Sequence, residues 1–446
     1  MKKLLIGIST LFVISVLAAC GGDSVATPTV TPNEEAPVET AAANTEVSVD
    51  NDVAKDAPDF SGEEFLLWLD NELFAEAIIP VLEEQFPGVS FDWQEMGNTE
   101  SLTNLSLDGP AGSGPDILFF MHDRVHQAIS ERLVLPVGPD LFEMMDGRFH
   151  AAAVASVYDA ETGFHFGIPM TTESVALFYN RDILDSFGFE PAESFEELIE
   201  QVVYMNNPAN NEFHFRWIVG NGFRSHFSST AHGFQLFGPN HNDANQVNLN
   251  SPEVVEALDW LQTLRQTVLD VPSADLDSDN TFGAFLDGEV AYIIDGPWNI
   301  VNLLEHGEFE LGIKKIPTIN GNRPITFSGN VIMAGSAFTT NPALTRAVMT
   351  FLSSDEGIQI AYDVRGTIPA LIDGSSINGL ADNALHMGIL AQANYSHPMP
   401  IIPEMAFFWD AARDMYAAAW DLILTPEEAA EHAELAYESA RALANQ

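Results

Sequence analysis

Residues 289–295 read EVAYIID, and the chain continues GPWNI through residue 300. Val290 to Ile294 lacks the polar alternation of a half-exposed strand, which predicts a strand buried on both faces. Gly296-Pro297 then makes a turn that sets Trp298 just past the strand end. Five other stretches also read as strands, several of them continuously apolar: EEFLLWLD (63–70), VSFDW (89–93), DILFF (116–120), SVALFYN (174–180) and LGIKKIP (311–317). Helices with clear starts lie between them. Ser251-Pro252-Glu253 combines a capping side chain with a proline at the first helical position. Asn341-Pro342 and Thr425-Pro426 repeat the device, and Thr425 with Glu428 makes a capping box. Strand–helix alternation sustained to the C-terminal end means an α/β fold, with ligands in crevices beyond the strand ends. No internal repeat is visible.

At 446 residues the chain exceeds one ordinary domain, and two lobes are expected. Hydrophobic residues make up 46%, ample for real cores. Lys and Arg number 17 against 65 Asp and Glu, a formal net charge of −48. That charge excludes nucleic acid as a partner, because phosphate binding needs clustered cations. It also excludes a polybasic contact with membranes. The acidic excess reads as a solvated coat.

The N-terminus is more specific. Lys2 and Lys3 precede an apolar run, Leu4 to Leu17, too short for an ordinary membrane span, as in a secretory signal peptide. LAAC (17–20) resembles the bacterial lipobox, which makes residues 1–19 a signal peptide and Cys20 the acylated first residue. It is the only cysteine, so no disulfide can form within the chain. Residues 20–60 are rich in Pro, Thr, Ala and acids and have no aromatic before Phe60, the composition of a disordered tether. No other segment is long and apolar enough to cross a bilayer.

Most chemical motifs fail. HDRVH (122–126) spaces two histidines like a zinc protease, but Asp123 replaces the glutamate that would act as base. DGPAGSGPD (108–116) lacks the Gly-Lys-Ser/Thr of a phosphate loop. DLDSDN (275–280) lacks the glycine and distal glutamate of a calcium loop. No Gly-x-Ser-x-Gly elbow occurs, and carboxylates are too abundant for any pair to mark a glycosidase. What remains is a set of aromatic and polar residues at element ends. PEMAFFWDAAR (403–413) sets Phe407, Phe408 and Trp409 side by side, whereas core helices space aromatics three or four apart. Phe407 and Phe408 are expected to anchor the helix, with Trp409 left as an exposed platform.

GSGPDILFFMHDR (112–124), IPMTTESVALFYN (168–180), FLDGEVAYIIDGPWNI (285–300) and PMPIIPEMAFFWDAAR (398–413) resemble, in order and spacing, the maltose/maltodextrin-binding proteins of ABC importers. The likeness runs from about residue 63 to the C-terminus. It implies a two-lobed, periplasmic-binding-protein-like α/β fold with a hinge and an interlobe cleft. The lobes would comprise residues 61–171 with 331–377, and 172–330 with 378–446. By resemblance, Trp409 and Trp298 stack on sugar rings, and Arg413 lies four residues along the same helical face. Asp123 and Arg124 grip hydroxyls, Glu173 faces them across the cleft, and Phe223 takes the place of a family tyrosine. Asp70 or Glu72 supplies an early acid contact. Phe120 stands where that branch often has tryptophan, and Asp410 where tyrosine is common, so subsites would be fewer or differently shaped. The resemblance implies a monomeric receptor, lipid-anchored outside the cytoplasm, with an oligosaccharide ligand, importer permease subunits as partners, no cofactor and no catalysis. A secreted carbohydrate-active hydrolase, or a sugar-binding sensor or adhesion module without an importer, are the alternatives.

Overall fold

The structure, a computed structural model, describes residues 59–444. The signal peptide, Cys20 and nearly all of the tether lie outside them. Among the described residues, twelve strands form two main sheets and a small hairpin. They are β1 (Glu64–Leu69), β2 (Ser90–Glu95), β3 (Ile117–Met121), β4 (Tyr158–Asp159), β5 (Phe164–His165), β6 (Ile168–Ser174), β7 (Ala176–Asn180), β8 (Phe215–Arg216), β9 (Tyr292–Asp295), β10 (Leu311–Lys314), β11 (Thr326–Gly335) and β12 (Ser396–Pro398). The first sheet is six-stranded in the order β12-β11-β3-β1-β2, with β6 also paired to β11; the second runs β10-β7-β9-β8.

The continuous apolar runs are what a sheet covered on both faces requires. On β1, Phe65, Leu67 and Leu69 enter one hydrophobic cluster and Trp68 another. On β3, Ile117 and Phe119 join the first cluster, Leu118 and Phe120 the second. In the second sheet, Tyr292 and Ile294 of β9 face one cluster and Ile293 the other. Helices close these faces, and their caps are the polar residues that the sequence singles out. Ser251 accepts from Val254 N–H, and Asn341 accepts from Leu344 N–H at 3.1 Å. Thr425 and Glu428 cap each other reciprocally, at 3.2 and 3.0 Å.

Two strands join the halves. β6 pairs antiparallel with β11. Ile168 and Met170 at the start of β6 lie in the first half's core, whereas Val175, just beyond its end, lies in the second half's. β11 runs the opposite way, from Phe327 in the second core to Val331 and Met333 in the first. The stretch SVALFYN therefore breaks at Val175, where the chain leaves one sheet for the other. EVAYIID forms ladder only over Tyr292–Asp295, although Val290 and Ala291 are buried with it.

Candidate functional site

Several strands of both sheets end toward one another, and their carboxyl ends carry the polar residues. Asp70 follows β1, Asn98 follows β2, and Met121 ends β3 just ahead of a 3-10 turn, His122–Arg124. From the second half come the turn Pro297–Asn299 after β9, the start of the helix Gly222–Ala231, and the helix Met405–Trp420. Together they enclose a cavity of about 540 Å³.

Of the residues predicted from sequence, Asp70, Asp123, Arg124, Glu173, Phe223, Trp298, Trp409 and Arg413 line this cavity. Glu72 and Phe120 do not. Glu72 opens the helix Glu72–Gln85 and is exposed, so of the two early acids it is Asp70 that faces the cavity. Phe120 is fully buried. The two-residue period of β3 turns it, with Leu118, into the core beside Trp68.

The aromatic walls are held from behind. Phe408 is fully buried and Phe407 packs against the second half's core. Trp409 is half-buried, and its indole N–H donates to Asp123 Oδ2 at 2.9 Å, across the two halves. One oxygen of the predicted hydroxyl-gripping pair is thus committed to the platform itself, and it stands 4.0 Å from Arg124 Nε. Gly222 lets the adjacent helix approach: a Cβ there would stand 3.3 Å from the Trp409 ring. Trp298 folds back over Gly296, where any Cβ would overlap the indole. Its ring lies 5.1 Å from the Arg224 guanidinium, a cation–π contact. Asp295, almost fully buried at the end of β9, fixes that arrangement. It accepts from Arg224 Nη2 at 2.9 Å, from Gly296 N–H at 2.9 Å and from Asn299 Nδ2 at 2.7 Å. Phe223 completes the wall, 6.3 Å from Trp298 and 6.1 Å from Phe327.

The opposite wall is polar. Arg365 pairs with Asp70 at 2.8 Å, and Asp70 also accepts from Asn98 Nδ2 at 2.6 Å. Glu173, on β6 opposite Gly329, is 7% exposed. Burial pushes its carboxyl up to about 7, against the pull of Arg365 and with the help of Asp70. Arg413 sits at the rim, where Asp410 (2.7 Å) and Asp414 (3.0 Å) of its own helix hold it. Sequence reasoning missed Arg224, Arg365, Asn98 and Met399. In GNGFR, Arg224 is signalled by its place beside a glycine turn and an aromatic residue.

The charge count is informative. Asp70, Asp123, Glu173 and Asp410 line the cavity with Arg124, Arg224, Arg365 and Arg413, four of each sign. In a chain with a net charge of −48, this wall balances by formal count, and with the Glu173 carboxyl raised to about 7 it carries no net negative charge. Fixed donors and acceptors of both kinds beside aromatic faces suit a ligand that is polar, uncharged and partly apolar. No group of three or more metal-ligating side chains in metal-binding geometry occurs among the described residues. No helix among them is long and apolar enough to cross a membrane.

Comparison with known proteins agrees. The chain is 26% identical over 321 residues to the maltodextrin-binding protein MdxE of Bacillus subtilis, covering 71% of this chain and 75% of that one. It is 24% identical over 364 residues to a galactooligosaccharide-binding protein of the same organism, covering 79% and 83%. A solved cyclo/maltodextrin-binding protein complexed with maltotetraose superposes with a TM-score of 0.68 at 25% identity, covering 87% of this chain and 98% of the other. The family profile described as bacterial extracellular solute-binding protein matches residues 77–378, about two thirds of the sequence. With a cleft of this chemistry between two sheets, the chain belongs to that family, a binding protein and not an enzyme.

Proposed function

We propose that the protein is a lipid-anchored receptor that captures a maltodextrin-type oligosaccharide between its lobes and delivers it to an ABC importer. The observation that carries the reading is the neutral, arginine-rich cleft wall faced by two half-buried tryptophans in a strongly acidic chain. A sugar ring offers an apolar C–H face to such platforms and a rim of hydroxyls to carboxylates, guanidiniums and amides. Trp298 and Trp409 cover ring faces, while Asp70, Arg124, Glu173, Arg224 and Arg365 meet hydroxyls. Arg413, engaged by its own helix, shapes the rim.

The paired strands β6 and β11 are the hinge. A rotation about them moves the lobes nearly as rigid bodies, and the ligand pulls them together because it touches both walls. The closed surface is what the importer's permease subunits read. The boundaries 61–171 with 331–377, and 172–330 with 378–446, describe the lobes, and Cys20 carries the lipid. The likeness to both maltodextrin- and galactooligosaccharide-binding relatives makes the test a panel. Thermal unfolding is followed with maltose, maltotriose, maltotetraose, cyclodextrin and galactooligosaccharides. A ligand at 100 times its Kd should add about 2.7 kcal/mol to stability. No shift with any α-glucan would refute the sugar assignment. Mass spectrometry of native protein should show a diacylglyceryl Cys20, and an unmodified N-terminus would refute the anchor.

A further inference from the structure

A second depression, with a volume of about 930 Å³, lies in the half built on the four-stranded sheet and shares no residue with the cleft. Arg216 is on the edge strand β8, where alternation sends Phe215 into the core and Arg216 out into this hollow. Its guanidinium donates from Nη1 to the Asn280 carbonyl at 3.3 Å, and among the described residues it forms no ion pair. Phe187 lines the same hollow and is 42% exposed. Its ring is stacked on Phe189 at 6.3 Å and met edge-on by Tyr204, which is 71% exposed, at 6.0 Å. Phe189 packs against the core of this half, and it holds the exposed Phe187 and Tyr204 rings at the surface beside the hollow. Exposed aromatic patches of this kind mark binding sites.

The lining selects the ligand class. Glu212, Asp279, Asp287 and Glu289 face a single cation, Arg216. A phosphate or sulfate would meet four carboxylates at close range. A cationic ligand would have to sit against the half-buried Arg216 guanidinium, which Glu289 already attracts. A hydroxyl both donates and accepts, so it satisfies either kind of wall group without adding charge, and a sugar's C–H face suits the exposed Phe187 ring. From this geometry we infer a second saccharide-binding site, for a neutral oligo- or polysaccharide, separate from the transport cleft. It holds the chain near a polymeric glycan while the cleft handles shorter pieces. The inference rests on the proposed function only for the choice of the first probe.

The test uses the full chain in native gels cast with soluble starch, mixed-linkage β-glucan or galactan. A Trp298→Ala/Trp409→Ala variant silences the cleft, and it should still be retarded by at least one of these polymers. Adding Phe187→Ala should weaken that retardation about tenfold, the worth of one ring face. Arg216→Gln should weaken it as well. Calorimetry with maltotetraose on Phe187→Ala alone should give wild-type affinity, which separates this site from the cleft. If the cleft-silenced variant is retarded by none of the three, or if Phe187→Ala and Arg216→Gln both leave retardation unchanged, the second site does not exist. Retention that survives cleft silencing and falls with Phe187→Ala supports it whatever the cleft binds.

Discussion

Replacing Trp409 by alanine removes two things that the structure separates. The first is a platform: covering about 60–80 Å² of sugar C–H surface at about 25 cal/mol per Å² is worth about 1.5–2 kcal/mol. The second is the indole N–H that Asp123, 6% exposed in its side chain, accepts at 2.9 Å. Hydroxyl hydrogen bonds largely exchange with water and net about 0.5–1.5 kcal/mol each, so a micromolar receptor, with about 8 kcal/mol to account for, leans heavily on its ring faces. Trp409→Ala should therefore weaken maltotetraose binding about ten- to thirtyfold. Trp409→Phe keeps most of the ring and should lose less. The control is the adjacent residue. Phe408 is fully buried against Phe327 and the His226 ring, so Phe408→Ala should cost about 3–5 kcal/mol of stability while the folded fraction binds normally. Calorimetry read alongside thermal unfolding separates the two outcomes. If Trp409→Ala binds every sugar in the panel as the wild type does, the stacking site is misplaced.

Other expectations follow from the charges. Arg365→Gln leaves Asp70 without its guanidinium; it should destabilise the fold by about 3 kcal/mol and weaken ligand binding, read by urea unfolding and calorimetry. Burial raises the Glu173 carboxyl to about 7, so between its unfolded value and pH 7 the folded chain holds the extra proton. Its contribution is fully present at low pH and is lost as pH rises through about 7. Glu173→Gln should then flatten the stability profile on that limb, and an unchanged profile would show that Glu173 ionises freely. Burial also keeps His226 well below its ordinary value and His397 down to about 4, with Nε2 atoms 3.3 Å apart. For these the sign reverses: the unfolded chain binds protons first, so stability falls as pH drops below the unfolded histidine range toward about 4. His397→Asn should shrink that acid-side loss in thermal unfolding. Sugar affinity itself should vary little with salt, because a neutral ligand gives the coat nothing to attract and exposed charges are screened beyond about 10 Å at 0.1 M. A tenfold loss between low and moderate salt would overturn that view.

Legibility followed the range of the interactions involved. The runs in β1 and β3 could be read because burial on both faces removes the need for polar alternation. The caps could be read because their geometry is local. Trp298 and Trp409 stood out as aromatics beyond an element end or out of helical period. Phe120 shows what local pattern can also exclude: alternation on β3 already pairs it with Leu118, away from Met121, which does line the cavity. Arg413 was readable in the same way, since Asp410 lies at the i−3 spacing that favours an ion pair on the helix surface. Arg365 was not readable at all. Its partner Asp70 lies 295 residues away in sequence, and only the fold brings the two together.

If β6 and β11 are the hinge as proposed, the turn His122–Arg124 ties the orientation of the Trp409 platform to it. His122 Nδ1 accepts from the Asn330 N–H of β11 at 3.0 Å, so its proton must sit on Nε2, which donates to the Met399 carbonyl at 3.1 Å. Full burial pushes its pKa down and keeps the ring neutral, as that pair of contacts requires: a second ring proton would face the Asn330 N–H. One side chain thus ties the end of β3 to the hinge strand and to the segment leading into the Trp409 helix. The next residue, Asp123, holds the Trp409 indole itself, and Arg124 lines the cavity beside it. Three consecutive residues therefore connect β11, the Trp409 ring and the cavity wall. A rotation about the proposed hinge would strain the His122 bonds and the Asp123–Trp409 bond together, so on that proposal opening the cleft also frees the ring. His122→Asn, which can keep only one of the two bonds, should loosen this coupling and weaken sugar binding without touching any group that contacts sugar.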